Sequence, residues 1–145
     1  MRRRALVFIA TVGLVLLAWA EPALAKGPDQ ATISGPGLVR PIVVSGLGEP
    51  GSTDKLGELA DGSGLFLAMF GPDGSSGQRL ASEAPAGVLG PKYDLTYRVP
   101  DGTPTGGLVR QDLYPQAAGG PVTHTEAGQA VFGTRTSGGW YRAPA

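Results

Sequence analysis

The chain has 145 residues, with 12 basic and 12 acidic side chains and hence no formal net charge. It has no basic block, so it lacks the charge pattern of proteins that bind the phosphate backbone of nucleic acids. With no cysteine and one histidine, disulfides are excluded and a zinc site of the usual ligand type is nearly excluded. We therefore expect no nucleic-acid partner, no metal and no cofactor.

The first 25 residues have the three parts of a secretory signal peptide. Residues 2–4 are all arginine, residues 5–20 form an apolar run, and the segment ends in a small-residue cleavage site at Ala25. The competing interpretation is an uncleaved anchor, but a membrane span needs roughly 20 apolar residues. We predict cleavage after Ala25. Residues 26–145 would then be a secreted, extracellular protein with no membrane contact.

The 120 residues after the predicted cleavage site are enough for one small domain. They contain 23 Gly and 12 Pro, a proportion at which disorder is a real alternative. Backbone ordering costs about 1–2 kcal/mol per residue. We therefore expect a small core with long irregular connections, preceded by a mobile leader at the N-terminus.

The first half of this region predicts a hairpin followed by a helical segment. Residues 31–34 and the apolar cluster at 42–44 are strand candidates on either side of a Gly-Pro-Gly turn. The glycine pattern at 46–51 matches a dinucleotide-binding fingerprint, but it contains Glu49 and Pro50 and is better explained as a turn-rich connector. A helix is expected from Thr53 to Ala60, then a break, and a second helical turn or strand over 65–70.

The clearest pattern in the chain is the alternation from Tyr93 to Val99. One side carries rings and aliphatic groups and the other carries polar groups, which is typical of a half-buried strand. A second strand is expected over 108–114. If Tyr97 lies opposite Val109, the charged side chains stay on the solvent-exposed face of the hairpin. Gln111 then lies on the buried face, where it needs a buried hydrogen-bond partner.

The last third of the chain predicts shorter strands. Residues 122–125 are a strand candidate that we expect to be exposed, with His124 between Thr123 and Thr125 in solvent, and residues 129–132 are a second, shorter one. The predicted fold class is therefore α+β. A small antiparallel sheet, built from an N-terminal and a central hairpin, would pack on a short helical segment and carry long Gly/Pro-rich loops.

Several short turn motifs resemble the landmarks of short exported proteins from actinobacteria. The residues that carry the resemblance are Ser34-Gly35-Pro36-Gly37-Leu38 before Pro41-Ile42, Leu89-Gly90-Pro91-Lys92-Tyr93, Leu113-Tyr114-Pro115 and Ala118-Gly119-Gly120-Pro121. The resemblance implies an ordered domain containing these strands. It implies no activity, ligand or catalytic residue.

Two classes of function stay open at this point. A hydrolytic triad is not indicated, because His124 is the only histidine and no nucleophile-elbow motif occurs. A carboxylate pair could serve a small extracellular hydrolase, although the spacing of the acidic residues singles out no pair and no catalytic residue. We favour a non-catalytic interaction or envelope-associated module.

The candidate binding residues are Tyr114, Trp140 and Tyr141. All three are flanked by glycine and proline in predicted loops, where an aromatic ring can stack on a sugar or contact a peptide. The interpretation that we favour is that the rings fill the ends of a small core. The expected partner is a cell-wall polysaccharide or an extracellular protein, and the unpaired sheet edges also allow self-association.

Overall fold

The computed structural model describes residues 27–72 and 78–144. The predicted signal peptide and its cleavage site lie outside these ranges. Within them, the elements in chain order are β1 (Gln30–Ser34), β2 (Ile42–Ser45), α1 (Lys55–Gly62), α2 (Leu65–Phe70), β3 (Tyr93–Val99), β4 (Gly107–Tyr114), β5 (Val122–Thr125), β6 (Ala130–Val131), β7 (Thr134–Arg135) and β8 (Gly139–Arg142). No helix in the described ranges is long and apolar enough to span a membrane.

Six of the strands form one antiparallel sheet in the order β2-β1-β3-β4-β5-β8, and β6 and β7 form a separate two-stranded ribbon. Two pairs of neighbouring strands in this sheet are not consecutive in the sequence: β1 with β3, and β5 with β8. Both predicted hairpins occur. The prediction of a small α+β fold with an antiparallel sheet is confirmed.

The register of the central hairpin is the one that keeps charge out of the core. Tyr97 lies opposite Val109, and Leu95 lies opposite Gln111. Tyr97, Leu95 and Val109 are all fully buried. Because side chains alternate between the two faces of a strand, a shift by one residue would have turned the charged set inward. The predicted register is confirmed.

The helical segment begins at an acidic cap. The Asp54 carboxylate accepts hydrogen bonds from the backbone N–H of Gly57 at 2.7 Å and of Leu47 at 2.8 Å. These bonds lower the pKa of Asp54, with the Gly57 bond as the largest cause. The cap thus satisfies one of the free N–H groups at the start of α1.

The first helix ends later than the sequence indicates. The sequence predicts a helix that ends at Ala60 and a break over residues 61–64, whereas α1 continues through Gly62. The chain instead turns at Gly64, which has a left-handed φ of 67° and leads directly into α2. A single interior glycine lowers helix stability by only about 1 kcal/mol, which tertiary packing easily offsets.

Helices and sheet share one apolar cluster. Its buried members come from α1, α2 and strands β1, β3, β4 and β6: Ala31, Leu56, Ala60, Leu65, Met69, Leu95, Tyr97, Val99, Val109 and Val131. The helical residues therefore bury the face of the sheet that carries Tyr97. The opposite face of β3 and β4 carries Asp94, Thr96, Arg110 and Asp112, none of which is buried.

A buried polar group joins the end of α1 to the sheet. The Tyr97 hydroxyl lies 2.9 Å from Ser63 Oγ and donates to the Leu59 carbonyl at 3.1 Å. The Ser63 carbonyl accepts from Thr123 Oγ1 at 2.7 Å and from Gln111 Nε2 at 3.2 Å. Gln111 thus finds the buried partner that its inward position requires.

Candidate functional site

Three rings form a row on the polar face of the sheet. The register of β5 with β8 places His124 directly opposite Trp140. The Trp140 ring centroid lies 4.5 Å from that of His124 and 5.9 Å from that of Tyr114, with tilts of 36° and 30°. These distances and tilts are those of ordinary aromatic contacts. We call Tyr114, His124 and Trp140 the ring row.

The ring row continues into a line of polar side chains that crosses the sheet. Along one row of cross-strand partners lie Ser34, Asp94, Asp112, His124 and Trp140. Directly opposite residues of antiparallel strands share a face. With neighbouring strands about 4.8 Å apart, the line from Ser34 to Trp140 is about 19 Å long. An extended ligand can therefore contact rings at one end of the line and carboxylates at its centre.

Lys92 joins the two carboxylates in this line. Its Nζ donates a hydrogen bond to Asp112 Oδ1 at 3.1 Å and lies 3.9 Å from Asp94 Oδ1. The hydrogen bond and the charge of Asp112 raise the pKa of Lys92 above its ordinary value. The other Asp112 oxygen lies 3.8 Å from His124 Nδ1, a separation too long for a hydrogen bond. The centre of the line is thus a mixed-charge cluster open to solvent.

Beside the cluster lies an open depression of about 620 Å³. Its lining is mainly polar and comprises Ser34, Asp94, Leu95, Thr96, Arg110, Gln111, Asp112, His124, Glu126 and Gln129. The Gln129 amide closes one wall, because its Oε1 accepts from the Arg110 N–H at 2.7 Å and its Nε2 donates to the Arg110 carbonyl at 2.8 Å. This side chain takes the place of a strand partner beyond the end of β5.

Backbone hydrogen bonds hold the strand that carries the tryptophan. The Trp140 N–H donates to the Ala81 carbonyl at 2.8 Å, and the Trp140 carbonyl accepts from the Ala81 N–H at 2.7 Å. Arg142 Nη1 donates to the Gly120 carbonyl at 3.0 Å, which ties β8 to the loop before β5. The ring is therefore presented from a backbone that is bonded on both sides.

The structure divides the three predicted binding residues between two faces. Tyr114 and Trp140 belong to the ring row, whereas Tyr141 lies on the opposite face, opposite Thr123, and is 8% exposed. Its ring packs against Gly64. Burial raises the pKa of the Tyr141 hydroxyl, and burial together with Asp112 raises that of Tyr114.

Tyr141 instead lines an apolar cleft of about 610 Å³ beside the helices. Other residues of the cleft include Phe66, Leu67 and Phe70, and Phe70 stacks on both Phe66 and Phe132 at centroid distances of 6.5 and 6.3 Å. The cleft and the ring row therefore lie on different sides of the sheet. No single ligand surface contains all three predicted residues.

The sequence did not identify His124, Asp112 and Lys92 as neighbours of the tyrosine and tryptophan. They lie on three separate segments, and the pairings of β3 with β4, β4 with β5 and β5 with β8 bring them together. The expectation that residues 122–125 form an exposed strand was wrong, because Thr123 and Thr125 are buried and only His124, on the opposite face, is not. No group of three or more potential metal ligands occurs in the part of the chain that the structure describes.

Comparisons with known proteins add no relative. No protein-family model matches the chain, and neither the curated proteins nor the solved structures contain a significant match. The argument for function therefore rests on the geometry of the site.

Proposed function

We propose that the protein is a secreted, non-catalytic module that binds cell-wall polysaccharide through the ring row. The observation that carries the proposal is the contact of Trp140 with both His124 and Tyr114 on the polar face of the sheet. In this arrangement, the helical segment packs on one face of the sheet and leaves the other face for the ligand.

The chemistry of the ring row suits a carbohydrate. The face of an aromatic ring is electronegative, and it attracts the electropositive C–H groups that a sugar ring presents on its flat side. Sugar hydroxyls need donors and acceptors close by, and the carboxylates of Asp94 and Asp112 and the ammonium of Lys92 supply both. The line of side chains from Ser34 to Trp140 is about 19 Å long, which accommodates several consecutive sugar units.

An extracellular protein is the other partner class that these residues allow, since Trp, Tyr and Arg dominate many protein interfaces. We favour the polysaccharide because the depression beside the rings is polar and open, whereas the centre of a protein interface is usually depleted of charged residues.

The direct experiment is retention of the purified protein on isolated, insoluble cell wall. We expect the wild type to be retained, and Trp140→Ala to bind about tenfold more weakly, a loss of ~1.4 kcal/mol. Phe70→Ala is the matched control, because Phe70 is an exposed aromatic residue on the opposite side of the sheet. A wild type that is not retained, or equal losses in both variants, would contradict the proposal.

A hydrolase that uses a carboxylate pair is the second candidate. The specific observation in its favour is that Asp94 and Asp112 are direct cross-strand partners, a position that places their Cβ atoms about 5 Å apart. Retaining glycosidases hold their two carboxyl groups about 5–5.5 Å apart. Against catalysis, both carboxylates contact the same Lys92 ammonium, and the Asp94 side chain is 69% exposed. A general acid normally lies in apolar surroundings.

A panel of glycoside substrates separates the two candidates. We expect no turnover by the wild type. Turnover that Asp112→Asn abolishes would replace the binding module with the hydrolase, provided that the variant melts within a few degrees of the wild type. Asp101→Asn is a control, because Asp101 lies in the loop between β3 and β4, away from the ring row, and its carboxylate accepts hydrogen bonds from Thr103.

Secretion is part of the same proposal. The arginine-rich start, the apolar run over residues 5–20 and the site at Ala25 support export, and the resemblance to short exported actinobacterial proteins agrees with it. Mass spectrometry of the protein recovered from culture medium should give a chain that begins at Lys26. A chain that retains residues 1–25 in the membrane fraction would indicate an anchored protein instead.

A further inference from the structure

The two edges of the six-stranded sheet are not equivalent. At the β8 edge, Ala81 forms an antiparallel bridge with Trp140. At the β2 edge, no strand in the described ranges pairs with the outer side. An open edge presents unpaired N–H and C=O groups that can pair with another strand.

The outward-facing groups of β2 can be assigned from its pairing with β1. The Gly46 N–H donates to the Asp29 carbonyl, so it points toward β1, and Val44, two residues earlier and opposite Ala31, points the same way. Along a strand of an antiparallel pair, residues whose backbone N–H and C=O point toward the neighbouring strand alternate with residues whose groups point away. The N–H and C=O of Val43 and Ser45 therefore point outward. Proline has no N–H, and Pro41 occupies the next outward-facing position.

The edge is also apolar. Val43 is 55% exposed and Ile42 48% exposed, and the residues flanking the strand are more exposed still, with Val39 at 98% and Leu47 at 75%. Natural proteins commonly protect an open edge with lysine or with inward-pointing charges. In β2 the protection consists of its length of four residues and of Pro41.

We propose that β2 pairs antiparallel with β2 of a second copy of this chain, with the two-fold axis at Val43. Cross-strand partners must share a face, so the register pairs Val43 with Val43 and Ile42 with Val44 of the second copy. Each Val43 then donates to and accepts from its counterpart, and each Ser45 N–H donates to the Pro41 carbonyl opposite it. The missing N–H of Pro41 costs only the outermost bond at each end.

Charge favours a second copy in this antiparallel orientation. Arg40 lies just before β2. Beyond the other end, the Asp54 carboxylate occupies the space that a side chain at Gly46 would fill, and Glu49 is exposed nearby. Antiparallel pairing brings the Arg40 end of each copy to the acidic end of the other. A parallel arrangement would bring like ends together.

The dimer should be weak, and its two sheets should join into one continuous sheet across the paired β2 strands. Interfaces below about 1,200 Å² are mostly transient, and a four-residue strand supplies few contacts. Because the two-fold axis is perpendicular to the sheet, both polar faces lie on the same side. If the proposed polysaccharide binding is correct, two ring rows can then bind one polymer with increased avidity.

Site-specific cross-linking tests the register, because the chain contains no cysteine. In the proposed dimer the two Val43 Cα atoms are about 5.5 Å apart, within the range that a disulfide bridges. Val43→Cys should form a disulfide dimer under mild oxidation at least tenfold faster than Leu108→Cys. Leu108 is a suitable control because it is 49% exposed on the polar face of the interior strand β4.

Sedimentation velocity without oxidant tests the non-covalent dimer. The wild type should sediment increasingly as a dimer as its concentration rises toward the millimolar range, and Val43→Lys should remain monomeric. Equal cross-linking rates at positions 43 and 108 would overturn the proposal. So would a wild type that stays monomeric throughout, or a dimer that persists in Val43→Lys. None of these measurements depends on a polysaccharide ligand.

Discussion

Gly62 and Gly64 are two residues apart, and substitution of each by alanine should have opposite effects. At Gly64 the backbone has a φ of 67°, and a Cβ would lie 2.5 Å from Cγ of the Tyr141 ring. A left-handed conformation costs a non-glycine residue about 1–2 kcal/mol, and overpacking against the ring costs a further ~1–3 kcal/mol. The Tyr141 ring is 8% exposed and lines the apolar cleft together with Gly64, so it can shift partly toward the cleft and the overpacking cost lies in the lower part of that range. We expect Gly64→Ala to lower the free energy of unfolding by about 2–4 kcal/mol.

At Gly62 neither penalty applies. The residue is the last of α1, its φ is not in the left-handed region, and a Cβ there would meet no atom within 4 Å. Alanine restricts the unfolded chain more than glycine does, so Gly62→Ala should stabilise the protein by about 0.4–1 kcal/mol.

Urea denaturation of the two variants and the wild type, followed by circular dichroism, measures both effects. The difference between the two variants should exceed about 2 kcal/mol, with equal m-values if the unfolding remains two-state. A Gly64→Ala protein as stable as the wild type would show that the chain does not turn at Gly64 against Tyr141. The described junction of helices and sheet would then be wrong.

Two further predictions concern hydrogen bonds to the helical segment. Tyr97→Phe removes the hydroxyl between Ser63 and Leu59 without leaving a large cavity, so it should cost about 1–2 kcal/mol in urea denaturation; no change would place that hydroxyl in water. Asp54 has a folded-state pKa below the ordinary 3.8, so its contribution to stability is present above pH 3.8 and is lost as the pH falls through the folded-state pKa. Asp54→Asn should therefore melt lower than the wild type at pH 7 and show a smaller further decrease between pH 5 and pH 2; parallel pH profiles would contradict the capping role.

The central hairpin was predictable because one alternating segment is enough to define its faces. Tyr93 to Val99 alternates cleanly, and a shift of the next strand by one residue would turn Arg110 toward the core. The same reasoning placed Gln111 in the core and required a partner for it. Its Nε2 donates to the Ser63 carbonyl and to Thr125 Oγ1, whereas its Oε1 is buried and has no hydrogen-bond partner among the described residues.

The ring row was only partly predictable, because its members come from different strands. Trp140 and Tyr141 are adjacent in sequence, and a glycine-rich context gave no reason to separate them. Once Gly139–Arg142 forms a strand, adjacent residues must point to opposite faces. Tyr141 therefore packs on Gly64, and His124 takes the place beside Trp140. The pairing of β5 with β8 determines this arrangement. The two strands are separated in the sequence by β6, β7 and their connecting loops, so the sequence alone does not indicate that they pair.

Tryptophan fluorescence tests the proposed binding site most directly. The chain has two tryptophans, and Trp19 lies in the predicted signal peptide, so Trp140 is the only one in residues 26–145. If the ring row binds carbohydrate, titration with soluble cell-wall oligosaccharides should shift the emission to shorter wavelength and saturate. Lys92→Ala, which leaves all three rings in place, should raise the oligosaccharide concentration at the titration midpoint severalfold. An emission spectrum unchanged at saturating ligand, while the protein still binds in an independent assay, would contradict a site at Trp140.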